Sequence, residues 1–287
     1  MVAGVLGVLG AARAARGQGT QPVAVVPAPV PPPPPNAPPP DDLVPRLDQR
    51  TALALDAGEL KLGVLAFDYS ITDRLSVGID PPFWLVRAFA TVLVPNLHLK
   101  LVAIRTKDLW VSGTVAGYYA FIGGDANTTG QLLTVPLSLF VSYRPLPRFW
   151  IHPELNYTFA NAFGTGDFTK FTLGGTASAR AGQAGLMLQY ELTEVVSLTL
   201  LGRVQFYTGA IAVTGSGSID EFTTATVDMR VAPALQHPWM VVPGVALLWQ
   251  HLRITVGVGY GNYFLPGMDV PLRGAGFVPD GSLYVVL

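Results

Sequence analysis

From about Asp48 to Leu287, apolar and polar residues alternate almost without interruption. The stretch VSLTLLGRVQFYTG, residues 196–209, shows the pattern. Every second residue gives Val196, Leu198, Leu200, Gly202, Val204 and Phe206; the other set is Ser197, Thr199, Leu201, Arg203, Gln205 and Tyr207. A strand points successive side chains to opposite faces, so this predicts a strand with one greasy and one mostly polar face. LWVSGTVAGYYAF (109–121), LTVPLSLFVSYR (133–144), FWIHPELNYTF (149–159) and RITVGVGYGNY (253–263) repeat it.

Two kinds of break separate these segments. Short polar ones fall at ITDR (71–74), TKD (106–108), PLPR (145–148), LTE (192–194) and WQHL (249–252). Longer, glycine-rich or polar ones fall near 84–94, 122–131, 161–176, 209–224 and 265–281. The segments between them predict about twelve antiparallel strands, with ten or fourteen as alternatives and both chain ends on the short-turn side. The first strand falls near Arg50–Asp56, ahead of a break at Ala57-Gly58. For the tenth, TTATVDMRVAP (223–233) competes with residues 240–249, one of the two being a hairpin that extends beyond the membrane.

Composition bears on which face meets water. Half of the 287 residues are hydrophobic and only 13% are charged, about half the usual charged share. A soluble domain needs charge to cover its surface, so the balance leans toward lipid. No run of about 18 apolar residues makes a membrane helix. Arg87 interrupts the run around Phe83–Leu97, and Pro243 breaks WMVVPGVALLW (239–249). A formal net charge of −1 gives no sign of a nucleic-acid partner, and the absence of cysteine rules out disulfides and thiolate metal sites.

The polar faces are rich in Ser, Thr, Gly, Asn and Gln and poor in Lys and Glu, which suits a confined lumen better than open solvent. Aromatic residues gather at strand ends. Trp110, Tyr143, Phe149, Trp150, Tyr190 and Trp249 flank the short turns; Phe83, Trp84, Tyr119, Phe121, Phe159, Phe206, Tyr263 and Phe264 lie toward the long breaks. Two such girdles are expected at the two membrane interfaces. The reading is therefore all-β: a transmembrane, up-and-down antiparallel barrel over residues 48–287, apolar outside and polar within.

This pattern resembles the bacterial outer-membrane β-barrel proteins as a class. The resemblance implies a Gram-negative outer membrane, short turns in the periplasm and lipid around the barrel. The ending GSLYVVL, with Leu283, Val285 and Leu287 in alternation, resembles the carboxy-terminal strand read by the barrel-assembly machinery. Leu287 stands where that signal usually carries an aromatic residue.

The first twenty residues, with an apolar run from Val2 to Ala11 and Ala12-Arg13-Ala14 after it, read as the second half of a secretory signal peptide. The basic segment that opens such peptides is missing, as a truncated or mis-assigned start would leave it. Residues 21–47 are dense in proline and read as a semi-rigid periplasmic spacer.

The inward face carries the candidate chemistry. Arg203, Gln205, His152, Glu154, Asn156, Glu191, Gln189, Arg144, Arg253, Lys100 and His98 are expected to form a polar, mixed-charge lining, with Asp80 as a further carboxylate. Both signs on one wall favour a structural ion-pair network over ion selectivity. Trp110, Tyr118, Phe140 and Tyr207 are expected inside, where they could block the passage. Ser142, His152 and Glu154 lie close enough in the pattern to suggest a nucleophile and its base. The His-x-Ser pattern of twelve-stranded outer-membrane phospholipases is absent, and the residues point inward rather than at lipid. His152 and Glu154 alone are too few for a metal site, and GVGYGNY (257–263) lacks the following helix of a nucleotide loop. No cofactor, metal or nucleic acid is expected. The leading expectation is a passive channel for small solutes. A non-conducting structural or adhesion barrel, acting through its long loops, comes next, and a lipid hydrolase last.

Overall fold

The computed structural model describes residues 50–81, 92–123, 128–168, 171–209, 211–219, 223–231, 237–264 and 271–287. The leader-like segment, the proline-rich spacer, and Phe83 and Trp84 lie outside these residues. Fifteen strands follow in chain order. They are β1 (Leu60–Gly63), β2 (Phe67–Thr72), β3 (Leu75–Ile79), β4 (Val92–Leu93), β5 (Asn96–Arg105) and β6 (Leu109–Gly123). Next come β7 (Thr128–Leu146), β8 (Phe149–Phe168), β9 (Phe171–Glu191), β10 (Val196–Thr208), β11 (Ile211–Ile219) and β12 (Thr223–Val231). The last are β13 (Trp239–Leu248), β14 (Leu252–Phe264) and β15 (Pro271–Val286), and there is no helix among the described residues.

Twelve of the strands close an antiparallel barrel. The ring runs β1, β2, β3, β5 through β10, then β13, β14 and β15, which pairs back onto β1. Closure satisfies the backbone groups that a hydrocarbon environment would leave stranded at an edge. Both candidates for the tenth strand exist: residues 239–248 enter the barrel, whereas β12 pairs with β11, whose other edge lies on Phe171–Ser178 of β9.

The long breaks are shorter than the glycine content suggested. β8 and β9 remain paired to Phe168↔Phe171, so most of 161–176 is a hairpin rather than a loop. Small residues weaken the alternation there without preventing pairing, and cross-strand threonines join it: Thr129–Thr165 at 2.8 Å and Thr176–Thr214 at 2.7 Å.

The first strand is not where the pattern put it. β1 begins at Leu60, and Arg50–Asp56 is not a strand. Ala52, Leu53, Ala54 and Leu55 are all buried, on both sides of the chain. Leu and Ala alternate by size, which imitates a half-exposed strand, but a segment enclosed on every side has no outward face.

The wall is lowest at β1, β2 and β3, which have 4, 6 and 5 residues, against about 9–11 for a tilted spanning strand. Ahead of Leu283, from Pro271 to Ser282, β15 pairs only with β14 among the described residues. Leu283 and Leu287 aim their backbone groups at the β1 side, so two-residue alternation aims Pro279 there too. Proline lacks an N–H, and here the missing donor faces the sparsely paired edge.

Outside the barrel the exposed residues are apolar: Leu198, Leu200, Val204 and Phe206 on β10, and Leu133, Leu137 and Leu139 on β7. Tyr143, Tyr190 and Trp249 face outward near the short turns, and Tyr119, Phe121 and Phe206 near the other end. Three aromatics assigned to the girdles are instead interior: Trp110, Trp150 and Phe264 are buried inside the wall. Trp110 and Trp150 carry arginines over their rings, Arg105 at 4.7 Å and Arg144 at 5.1 Å.

Leu200→Arg tests which face meets lipid. It is expected to cost about 2–4 kcal/mol if the position lies near the bilayer midplane. The check is a guanidinium titration of the protein folded into lipid vesicles; a water-facing position would tolerate the change.

Candidate functional site

The lumen is lined by polar side chains from nearly every strand. Ser70, Ser76, Ser112, Thr134, His152, Glu154, Asn156, Gln183, Gln189, Arg203, Gln205 and Arg253 are all buried on inward positions. The guanidinium in the middle of β10 therefore has a home: Arg203 Nη2 meets Glu154 Oε1 of β8 at 2.5 Å.

These two strands are not neighbours. β9 lies between them, so the backbones are about 9.6 Å apart. Gly185 sits opposite both Glu154 and Arg203 in register. A Cβ at Gly185 would fall 2.5 Å from Glu154 Cγ. The glycine is thus a saddle over which two charged side chains reach each other.

The same device recurs on the other wall. Gly78 of β3 lies opposite Asp68 of β2 and His98 of β5. Asp68 pairs with His98 across it, and Lys61 of β1 takes the other carboxylate oxygen. The second nitrogen of His98 lies 3.7 Å from Asp80, which accepts from the Tyr118 hydroxyl. Sequence alternation identified His98 and Asp80 as inward, yet it missed Lys61, Asp68 and both saddles. The signal was present as a glycine flanked, on the adjacent strands, by opposite charges at matching register.

Arg50–Asp56 runs inside this lining. Arg50 Nη1 pairs with Asp280 of β15 at 3.1 Å. The Ala52 N–H donates to Ser142 Oγ at 2.8 Å, and Lys100 Nζ donates to the carbonyls of Thr51, at 3.0 Å, and Leu53. Ala52, Leu53 and Ala54 pack with Val102, Trp110 and Trp150, and Leu55 packs with Tyr284 and Val286. Asp56 meets Arg105, and the Ala57 N–H meets Asp73 at the β2–β3 turn. The segment descends from mid-lumen to the short-turn rim, where the chain turns into β1.

The remaining lining residues take their places around it. Arg144 pairs with Asp108 at 2.9 Å, and Glu191 accepts from Trp150 Nε1 at 2.8 Å. Gln205 lies within 3.4 Å of Gln183, and Arg253 lies 5.8 Å over the Tyr284 ring. Asn156 accepts from Thr158 at 3.3 Å. Not all of the inner wall is polar: Met187, Leu201, Met240, Val242, Ala246, Leu248, Phe264 and Val278 form an apolar sector on β9, β10 and β13–β15. Its cost is low because it packs against itself rather than meeting water.

Two readings of the sequence need correction. Tyr207 points outward and stacks 6.4 Å from Tyr157, because a bulge between Gln205 and Tyr207 shifts the alternation. Ser142 and His152 do meet, Oγ to Nδ1 at 2.7 Å, but Glu154 turns away to Arg203. The other ring nitrogen of His152 contacts Gln189 Oε1 at 3.3 Å, and the serine oxygen accepts the Ala52 amide. Ser142 and His152 are almost wholly buried, and the pair fastens the inner segment through the Ala52 amide. No group of three metal-ligating side chains is found among the described residues.

No protein-family model matches the chain, and no curated protein matches it in sequence. Several solved structures align with it at low similarity. The translocator domain of autotransporter NalP from Neisseria meningitidis aligns with a TM-score of 0.43 and 9% identity, over 79% of this chain and 84% of that one. The toluene transporter TodX of P. putida aligns with a TM-score of 0.46 and 12% identity, over 82% of this chain and 68% of that one. The copper transporter OprC aligns at 0.42 and 10%, over 79% and 42%. At these levels the likeness concerns architecture alone. Closed twelve-stranded antiparallel topology with an apolar exterior is the architecture of a membrane-spanning β-barrel.

Removing one partner of the buried pair, as in Glu154→Ala, is expected to cost about 3–5 kcal/mol, and Glu154→Leu with Arg203→Met should recover most of it. Denaturant titration of the two variants in micelles checks this. Failure of the double variant to recover would show that the charges do more than satisfy each other.

Proposed function

We propose that this barrel is a passive outer-membrane pore for small solutes, held closed in this state by residues 50–56. The observation that carries the reading is that the inner segment, residues 50–56, is no strand of the wall. It is held by side-chain contacts and apolar packing rather than by strand pairing, so it can leave without opening the wall. The hydroxyls, amides and paired charges of the lining suit water once it has left. Cations beside carboxylates, as at Arg203–Glu154 and Lys61–Asp68, favour weak ion preference.

A non-conducting structural or adhesion barrel is the second reading. The packed apolar sector and the extension of β8, β9, β11 and β12 beyond the ring support it. In both readings β15 serves as the strand offered to the assembly machinery, with Leu283 and Leu287 outward. The spacer ahead of Arg50 would then occupy the periplasm, since the inner segment joins β1 at the short-turn rim.

Conductance in planar bilayers tests the pore. The parent protein is expected to be mostly silent. Lys100→Met combined with Ser142→Val removes two anchors of the segment and should give discrete conductance steps. Silence from the double variant, with folding established by gel mobility before and after boiling, would leave the structural barrel as the reading.

A further inference from the structure

At the short-turn rim, the β5–β6 and β7–β8 turns and the end of β9 enclose a cleft of about 470 Å³, lined by Lys107, Asp108, Arg144, Pro145, Leu146, Pro147, Arg148 and Glu191. Its charges are not all consumed within the fold. Asp108 is matched by Arg144 Nε at 2.9 Å. Glu191 uses Oε1 to accept the Trp150 indole, which leaves Oε2 for a cation. Arg148 is exposed at the mouth, and its carbonyl is what accepts the Glu191 N–H, at 2.8 Å. An uncommitted guanidinium and half of a carboxylate therefore line the same cleft.

Arg148 is also conformationally out of place. It follows Pro147 in a tight turn and has a φ of 68°, the left-handed region where glycine is the ordinary choice. Glycine would relieve that backbone and remove the guanidinium. The position keeps a strained arginine, which points to a use for its side chain.

Depth identifies the ligand. Tyr143, Leu146 and Tyr190 project outward beside the cleft, and such residues mark the boundary between acyl chains and headgroups. A phosphate lies at that level in every phospholipid. A primary ammonium accompanies it in phosphatidylethanolamine, and not in phosphatidylglycerol. We propose that the cleft binds a phosphoethanolamine headgroup from the surrounding leaflet, with Arg148 and Lys107 on the phosphate and Glu191 on the ammonium. The proposal rests on the barrel lying in a membrane, and it is independent of whether the lumen conducts.

The test is native mass spectrometry of the full chain after exchange with micelles containing equal phosphatidylethanolamine, phosphatidylglycerol and phosphatidylcholine. The parent should retain phosphatidylethanolamine preferentially. Arg148→Gly should keep the barrel folded, with thermal stability equal or higher, and reduce that retention about tenfold, as expected for one charge-assisted hydrogen bond. Glu191→Gln keeps the acceptor for Trp150 and should abolish the preference over phosphatidylglycerol. Equal retention of all three lipids by the parent, or unchanged retention in Arg148→Gly, would overturn the proposal. Soluble phosphoethanolamine serves as competitor: displacement only at large excess supports a lipid source, and displacement at equal concentration overturns it in favour of a soluble ligand of the same chemistry.

Discussion

Leu60 and Leu287 exchange both backbone hydrogen bonds, at 3.0 and 2.9 Å, and every other feature of the fold presupposes that seam. An open twelve-stranded sheet in hydrocarbon would carry unsatisfied amides along two edges, each costing several kcal/mol. Closing it divides the chain's side chains into an outer and an inner set with no third option. The outer set must dissolve in lipid. The inner set is freed from that demand and can carry charge.

Freedom to carry charge is not freedom to leave it unmatched. Within the lumen the distance between strands decides which partners are available, and adjacent strands often present the wrong residue. The two glycine saddles solve this by letting next-nearest strands meet. They also tie together three strands at a time, Glu154–Gly185–Arg203 on one wall and Asp68–Gly78–His98 on the other. Such a tie holds register as well as charge, because a slip of one residue would send the partners to opposite faces.

Much of this was legible in the sequence because a barrel wall obeys a period of two. The inward placement of Arg203, His152 and Lys100, the short turns and the approximate strand number all follow from it. What escaped was whatever does not repeat every second residue. The bulge beside Tyr207 reverses the faces locally. Trp110 and Trp150 were assigned by nearness to strand ends, although their parity placed them inside, and Phe264 turns inward only because the register shifts between Asn262 and Phe264. Arg50–Asp56 alternates in sequence, yet Thr51, Ala52, Leu53, Ala54 and Leu55 within it are all buried, and only that enclosure distinguishes the segment from a strand. The partners of each charge depend on register across two strands, which no single segment contains.

The low wall at β1–β3 has a mechanical consequence. β1 is joined to β15 through three registered pairs, and to β2 through three more, whereas β8 and β9 are joined along nearly their whole length. Hydrogen bonds break one after another when strands peel apart, so the smallest force is needed at β1, whose joints to β15 and β2 are equally short. The inner segment is covalently continuous with β1 through residues 57–59. A pull on the chain ahead of Arg50 therefore reaches the weakest strand of the cylinder directly, and Arg50–Asp280 with the Ala52 and Lys100 contacts acts as the strain relief that shields it.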